Sequence, residues 1–304
     1  MSRAFADGSP VVGTVSGLLK EMRPWQWYKQ SVLLLALVFS RSLFDPVAVT
    51  NVTLGIAAFC VIAGATYISN DILDVEEDRN HPRKKHRPIA SRQVPISVAV
   101  PFAFLLFAGG LAVSWYLGSL FLLVVCTYLV QNALYSLFLK DVVIVDVMVI
   151  AVGFVLRAVA GVVAIDVYLS PWLVVCTFLG ALMLALGKRR HEMTVSDDPA
   201  ASRATLAEYT EETLDQLLVV VLAALIVSYC LYTFFRGGQW MLITLPFACF
   251  AAFRYHFLAH TRNVGGDPTF LFGDRPFLAN LAVWGLLVIA VLYGVPPRIL
   301  EVVA

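Results

Sequence analysis

Residues 47–78 read VAVTNVTLGIAAFCVIAGATYISNDILDVEED, and this stretch decides how the rest of the chain is read. Residues 47–69 hold no charged side chain, and about 20 mostly apolar residues are enough for one helix to cross a bilayer. The run passes directly into Asn70, Asp71, Asp74 and Asp78. Asn70, Asp74 and Asp78 stand at i, i+4 and i+8, a spacing that predicts their oxygens on one helix face as the chain leaves the bilayer.

Comparable apolar runs fill the chain on both sides, at about 27–44, 96–118, 119–138, 142–165, 169–187, 214–235, 239–258 and 276–295. Composition agrees: 60% of the 304 residues are hydrophobic and 14% charged, with a mean hydropathy of +0.80. Soluble domains run at about 45–50% apolar and 25% charged, so a soluble domain is excluded. The runs are long and little interrupted by charge, whereas a membrane barrel would show alternating segments of about ten residues. The expectation is all-α: one integral membrane domain over 1–304, a polytopic bundle of about nine transmembrane helices, preceded by a cytoplasmic segment over about 1–24. No small-residue cleavage site follows the first run, so it reads as a retained helix with the mature protein beginning near Met1. Polar motifs after the second and sixth runs suggest two four-helix halves plus one helix.

Charge distribution orients the bundle. Of 22 Lys and Arg, 18 fall in the N-terminal segment or at the exits of the even-numbered runs, against Arg41, Arg236 and Arg298 on the other side and Arg157 inside the fifth run. The positive-inside rule then places the N-terminus and the active face in the cytoplasm. Connections near 70–95, 188–213 and 259–275 gather on that side, where function is expected. A net charge of +1 argues against nucleic acid as a partner. Cys60, Cys126, Cys176, Cys230 and Cys249 lie in apolar runs without metal-ligand spacing, so neither disulfides nor zinc are expected. A homo-oligomer is compatible with such a bundle.

Hard oxygens at Asn70, Asp74 and Asp78 suit Mg2+, which keeps several waters, takes one or two carboxylates and fills its shell from substrate phosphates. Immediately downstream runs His81-Pro-Arg83-Lys84-Lys85-His86-Arg87-Pro88-Ile-Ala-Ser91. Cations beside an acidic face are what a metal-bridged, multiply anionic ligand requires. The competing reading makes the basic run a positive-inside anchor and the acids a solvated helix end. No nucleophilic triad, glycine-rich phosphate loop or zinc signature is present, so chemistry must come from metal and charge placement.

The Asn70-Asp71-x-x-Asp74-x-x-x-Asp78 pattern and its His-Pro…Arg-Pro-Ile-Ala-Ser sequel resemble the UbiA superfamily of intramembrane prenyltransferases. Arg23-Pro-x-Gln26-Trp27-x-Lys29 is similar to the family's amphipathic lead-in, and Tyr135-x4-Lys140 to the motif after its fourth helix. Where the family carries a second Asp-rich motif, this chain reads Gly187-Lys188-Arg189-Arg190-His191-Glu192, with Arg190 in place of a family tyrosine. With Leu156-Arg157-Ala-Val-Ala-Gly161, that pattern resembles the branch that makes decaprenylphosphoryl phosphoribose in actinobacterial cell-wall synthesis. The resemblance implies a multi-pass bacterial plasma-membrane enzyme, a Mg2+ cofactor held by Asn70, Asp74 and Asp78, phosphoribosyl pyrophosphate as donor and a polyprenyl phosphate as acceptor. Asp74, Asp78 and Arg157 are the expected catalytic residues. Lys29, Tyr67, Lys84, Arg87, Tyr135, Lys140, Arg157, Lys188 and Arg189 are the expected substrate contacts.

Arg157 stands mid-run, where a cation is disfavoured by about 2.5–3.5 kcal/mol on insertion scales and calls for an anionic partner. Asp146 is three turns away on the same run, too far for an intrahelical pair, so a ligand phosphate is the expected partner and a salt bridge to Asp146 or Asp141 the alternative. Lys29, Lys140 and Lys188 each sit at a helix end, where lysine also snorkels without binding anything. Two other functions compete: an aromatic prenyltransferase using a polyprenyl pyrophosphate, which wants the second acidic motif, and a lipid transporter, which wants charges at mid-membrane on broken helices.

Overall fold

The computed structural model describes residues 10–82, 84–195, 204–236, 238–261 and 268–295. These are helical, with no strand among them: α1 (Pro10–Glu21), a 3-10 segment (Pro24–Leu33) leading into α2 (Leu34–Phe39), α3 (Pro46–Leu73), α4 (Val75–Asn80), α5 (Ile96–Tyr116), α6 (Ser119–Leu137), α7 (Val145–Ala164), α8 (Pro171–Val195), α9 (Glu211–Phe235), α10 (Leu245–Thr261) and α11 (Arg275–Leu292). Eight helices among the described residues are long and apolar enough to cross a membrane.

The run at 27–44, expected as a regular spanning helix, departs from that expectation. It begins beside Arg23, whose Nη2 lies 2.8 Å from Asp71 at the end of α3, and it finishes in the turn before Asp45, which starts α3. The segment therefore traverses the bundle antiparallel to α3. Ten 3-10 residues at about 2.0 Å and six α residues at about 1.5 Å cover about 29 Å, close to the ~30 Å hydrocarbon thickness. Close approach of α7 accompanies the change of helix type. A Cβ on Gly161 would stand 2.9 Å from Leu33 Cα, so α7 meets the segment backbone to backbone and only glycine fits there.

Helix ends carry their own signals. Asp45 accepts from the Val47 N–H at 2.9 Å with Pro46 in the first turn, and Asp274 accepts from Phe277 N–H at 2.9 Å ahead of α11, each quenching an otherwise unpaired helix donor. Inside, α3 buries Ala58, Ala63, Gly64 and Ala65. Small residues let helix backbones approach closely, and such packing holds bundles together where lipid offers no hydrophobic drive. Large side chains such as Phe104 and Leu286 point outward. α8 continues to Val195, so Lys188–Glu192 lies on a helix rather than in the expected loop. The residues expected in the loops at 196–203 and 262–267, with Arg83 and Arg298, lie outside the described residues.

Candidate active site

The acidic motif occupies the junction of α3 and α4. Asp74 N–H donates to Asn70 O and Asp78 N–H to Asp74 O, both at 2.9 Å, so helical winding persists through the junction. At 3.6 residues per turn, Asp74 is rotated about 40° from Asn70 and Asp78 about 80°, whereas Asp71 and Asp78 differ by only about 20°. The expected single face is accordingly split. Asp71 and Asp78 share the buried side, at 2% and 1% exposure. Arg87 Nη1 donates to Asp71 Oδ1 at 2.8 Å and to Asp78 Oδ2 at 2.6 Å, while Arg23 Nη2 bonds both oxygens of Asp71 at 2.8 Å. Arg87, expected at the substrate, braces these two acids instead.

Asn70 is half-buried and Asp74 exposed, and neither side chain makes a hydrogen bond among the described residues. Asp78 Oδ1 is buried without a hydrogen bond and lies 3.8 Å from Lys84 Nζ. No three His, Cys, Asp or Glu side chains converge as a metal cage among the described residues. Two free oxygen-bearing side chains and one unbonded carboxylate oxygen nevertheless fit an ion that takes one or two carboxylates and leaves the rest of its shell to water and phosphate. Glu21, unremarked in the sequence, is buried beside this group. Its Oε1 accepts from Ile89 N–H at 2.8 Å, and burial, reinforced by the neighbouring Asp71, pushes its carboxyl up to about 7.

Arg157 sits halfway along α7, 6% exposed. Nε donates to Gln30 Oε1 at 2.7 Å, Nη1 to Gly153 O at 2.8 Å and Nη2 to Tyr128 OH at 2.7 Å. All three acceptors are neutral, and no carboxylate pairs with it among the described residues. Asp146 is bound elsewhere, by Arg189 Nε at 2.7 Å and Tyr209 OH at 3.2 Å, so the salt-bridge alternative for Arg157 is set aside. A guanidinium has five N–H donors, which leaves one on each Nη. Beside it, Gln131 Nε2 donates to Val149 O at 2.7 Å while Gln131 Oε1 is buried without a partner.

The 3-10 segment joins Arg157 to the acidic end. Lys29 Nζ and Tyr67 OH both donate to Gln26 Oε1, at 2.8 and 2.9 Å, and Arg23 lies over the Tyr67 ring at 4.7 Å. Tyr67 is within electrostatic reach of Arg157 as well as Arg23. Lys29 and Tyr67 thus meet at Gln26, and Gln30, one turn on in the same segment, holds Arg157. Gln26, Gln30, Tyr128 and Gln131 complete the group, and neutral side chains at mid-run gave no signal that would have singled out the last three.

On α8 the expectation divides. Lys188 is exposed, with Nζ 3.7 Å from Glu192. Arg189, expected at the substrate, is 1% exposed and bonded to Asp146 Oδ2 at 2.7 Å and Glu192 Oε2 at 2.6 Å. The reason is helical: one residue on from Lys188 is a turn of about 100°, which carries Arg189 against α7. Its Nη2 remains without a partner, with half-buried Tyr135 within electrostatic reach. Arg190 is likewise tied, to Asp215 and to Ala259 O at 3.2 Å, and Asp215 also meets His260 Nε2 at 3.1 Å. Lys140 is exposed on the short turn Leu139–Asp141. Neither Lys140 nor Lys188 makes a hydrogen bond or ion pair with the Arg157 group among the described residues.

Residues 31–281 match the UbiA prenyltransferase family, and the chain belongs to it. The fold agrees: a UbiA homologue from Archaeoglobus fulgidus bound to GPP and Mg2+ superposes with a TM-score of 0.70 over 91% of this chain and 99% of that one, at 17% identity. Within the family, the chain is similar to decaprenyl-phosphate phosphoribosyltransferases. That of Mycolicibacterium smegmatis is 36% identical over 80% of this chain and 78% of its own length. That of Corynebacterium glutamicum is 28% identical over 94% and 90%.

Proposed function

We propose that this protein transfers the 5-phosphoribosyl group of phosphoribosyl pyrophosphate to decaprenyl phosphate, or a polyprenyl phosphate of similar length, and releases pyrophosphate. The observation that carries this reading is Arg157: a buried cation with neutral partners only, two donors to spare and the unpaired acceptor Gln131 Oε1 beside it. A sugar phosphate brings anionic oxygens for Arg157 and hydroxyl donors for Gln131, whereas a prenyl pyrophosphate brings the anionic oxygens but no hydroxyl donor. Relatives named for the decaprenyl-phosphate reaction support the same choice, as does α8, which presents exposed Lys188 where a second acidic motif would bind a second metal.

Asn70 and Asp74, with Asp78 nearby, would hold magnesium, which supplies Lewis-acid stabilisation of the departing pyrophosphate. Arg87 and Arg23 fix Asp71 and Asp78 so that the acidic end is preorganised before ligand arrives. Lys84 at its rim adds charge to the pyrophosphate side, and Lys29, Tyr67 and Arg157 hold the phosphoryl oxygens and orient the ribose. The bond from the anomeric carbon to the pyrophosphate oxygen breaks with its electron pair leaving on pyrophosphate. The lipid phosphate is already ionised and attacks the opposite face of that carbon, so no strong general base is needed and the carbon inverts. Lys140 and Lys188, at the same interface, guide the lipid phosphate in. The positive-inside bias puts this end in the cytoplasm of a bacterial plasma membrane, and the product serves as a precursor of arabinan in the cell wall.

The test is a substrate panel. Purified protein with Mg2+ receives labelled phosphoribosyl pyrophosphate with polyprenyl phosphates, and separately prenyl pyrophosphate with aromatic acceptors. Label entering the lipid phase only with the first pair is expected. Turnover of the second pair alone would make the protein an aromatic prenyltransferase, and lipid movement without turnover of either would favour a transporter.

A further inference from the structure

Ile144, the residue before α7, has φ 68° and ψ −44°. β-Branched residues rarely take positive φ, and this pair of angles is close to the strained form of the γ-turn. The side chain is 48% exposed, so packing does not hold it there. Hydrogen bonds do: Ile144 N–H donates to Tyr209 OH at 2.7 Å, and Ile144 O accepts from Met148 N–H at 3.0 Å in the first turn of α7. Backbone strain persists only where its surroundings over-determine it, and it gathers at working sites.

Tyr209, two residues ahead of α9, is the rigid partner in this pair. It is 3% exposed and shares one core with Val147, Leu214 and Leu218. Just upstream of it, the turn Ala204–Ala207 packs on the turn Leu139–Asp141. A phenol oxygen that accepts from Ile144 still has its own hydrogen to give, and Asp146 Oδ1 takes it at 3.2 Å. The bonds continue onto α8: Arg189 Nε donates to Asp146 Oδ2 at 2.7 Å, Arg189 Nη1 donates to Glu192 Oε2 at 2.6 Å, and Lys188 Nζ lies 3.7 Å from Glu192 Oε1. One hydroxyl therefore ties the turn that carries Lys140, four residues before Ile144, to the end of α8 that carries Lys188.

We propose that Tyr209 is a positioning residue for the acceptor: its hydroxyl holds the turn before α7 in its strained form and so sets Lys140, relative to Lys188, where both meet the lipid phosphate. The inference rests on the transfer reading above, in which these two lysines guide that phosphate. A lysine head is a point charge on a flexible stem, so the backbone beneath it decides whether one phosphate can reach two of them. Without the hydroxyl, Ile144 relaxes towards negative φ and carries Lys140 away. Tyr209 touches neither substrate, and its loss is felt in acceptor binding rather than in donor use.

The test is steady-state transfer of labelled phosphoribose to polyprenyl phosphate in detergent, with each substrate varied in turn. Y209F keeps the buried ring and removes only the hydroxyl. It is expected to raise KM for the lipid phosphate about tenfold, the scale of one charge-assisted hydrogen bond, with kcat and the donor KM within about twofold of wild type. K140M raises the lipid KM by about the same factor, and adding Y209F to K140M costs less than about twofold more, because the group being positioned is gone. I144G/Y209F recovers most of the lost affinity, since glycine takes positive φ without strain. An unchanged lipid KM in Y209F, an equal loss on both substrates, full additivity with K140M, or no recovery by I144G overturns the proposal and leaves the transfer reading standing. Absence of transfer by the wild-type protein overturns both.

Discussion

Replacing Arg157 by leucine separates its two jobs. In the folded protein it makes three hydrogen bonds, to Gln30, Gly153 and Tyr128. Removing it orphans Gln30 Oε1 at a cost of about 1–3 kcal/mol. Tyr128 can turn its hydroxyl, and Gly153 O sits within α7, so these two lose less. Against this, leucine relieves a mid-membrane cation that is disfavoured by about 2.5–3.5 kcal/mol. The two effects nearly cancel, and the melting temperature in detergent should move by only a few degrees. Activity should not survive. Two spare N–H donors on a ligand phosphate, at about 1.5–3 kcal/mol each, amount to about 3–6 kcal/mol, or roughly a hundred- to ten-thousand-fold in kcat/KM. The assay is transfer of labelled phosphoribose to polyprenyl phosphate, with kcat and KM measured for each substrate. A loss below tenfold in Arg157→Leu protein that melts normally would refute the phosphate role, and a collapse of the fold would show that the cation is structural.

Asp74→Ala should abolish turnover with an unchanged melting temperature, since Asp74 is exposed and makes no hydrogen bond among the described residues; retention of more than about a tenth of the rate contradicts a metal role. Lys188→Met should lower kcat/KM about ten- to a hundred-fold without loss of stability, whereas Arg189→Met strands the buried Asp146 and should cost about 3–5 kcal/mol in urea or thermal unfolding. Gly161→Ala should destabilise the protein by a few kcal/mol, because the new methyl meets the Leu33 backbone; an unchanged melting temperature would deny the close approach. Glu21 has its carboxyl raised from 4.5 to about 7, so the folded state holds its proton over that interval. Its stabilising effect is full below about pH 4.5, declines as pH rises through 7, and is gone above. Glu21→Gln, which mimics the neutral acid, should raise the melting temperature at pH 8 and do nothing at pH 4.5; equal shifts at both would remove Glu21 as the titrating group.

Spanning runs and the acidic motif were legible in the sequence because both depend on local composition and spacing. Length and hydropathy mark α3 wherever it packs, and Asn70 and Asp74 are one turn apart in any helix. The 3-10 form of residues 24–33 was not legible, since it goes with the backbone of α7 pressing on Leu33 at Gly161. Nor was the division of the acids: Asp71 and Asp78 are withdrawn from the open face by Arg23 and Arg87, and Arg23 is 48 residues from its partner in sequence. That Asp146 does not pair with Arg157 was legible, because a rule of distance along one helix excluded it. The pairing of Arg189 with Asp146 was not, because Asp146 lies 43 residues upstream and α8 continues past the point where hydropathy ends.

In the proposed transfer an oxygen of the lipid phosphate itself becomes the new bridge to the sugar. Decaprenyl phosphate labelled with 18O in its phosphate oxygens, incubated with unlabelled phosphoribosyl pyrophosphate, Mg2+ and purified protein, tests this by mass spectrometry of both products. Every labelled oxygen should appear in a lipid-linked phosphoribose, with inversion at the anomeric carbon and none in pyrophosphate. Label in the released pyrophosphate, retention at that carbon, or no sugar-bearing lipid at all would contradict it.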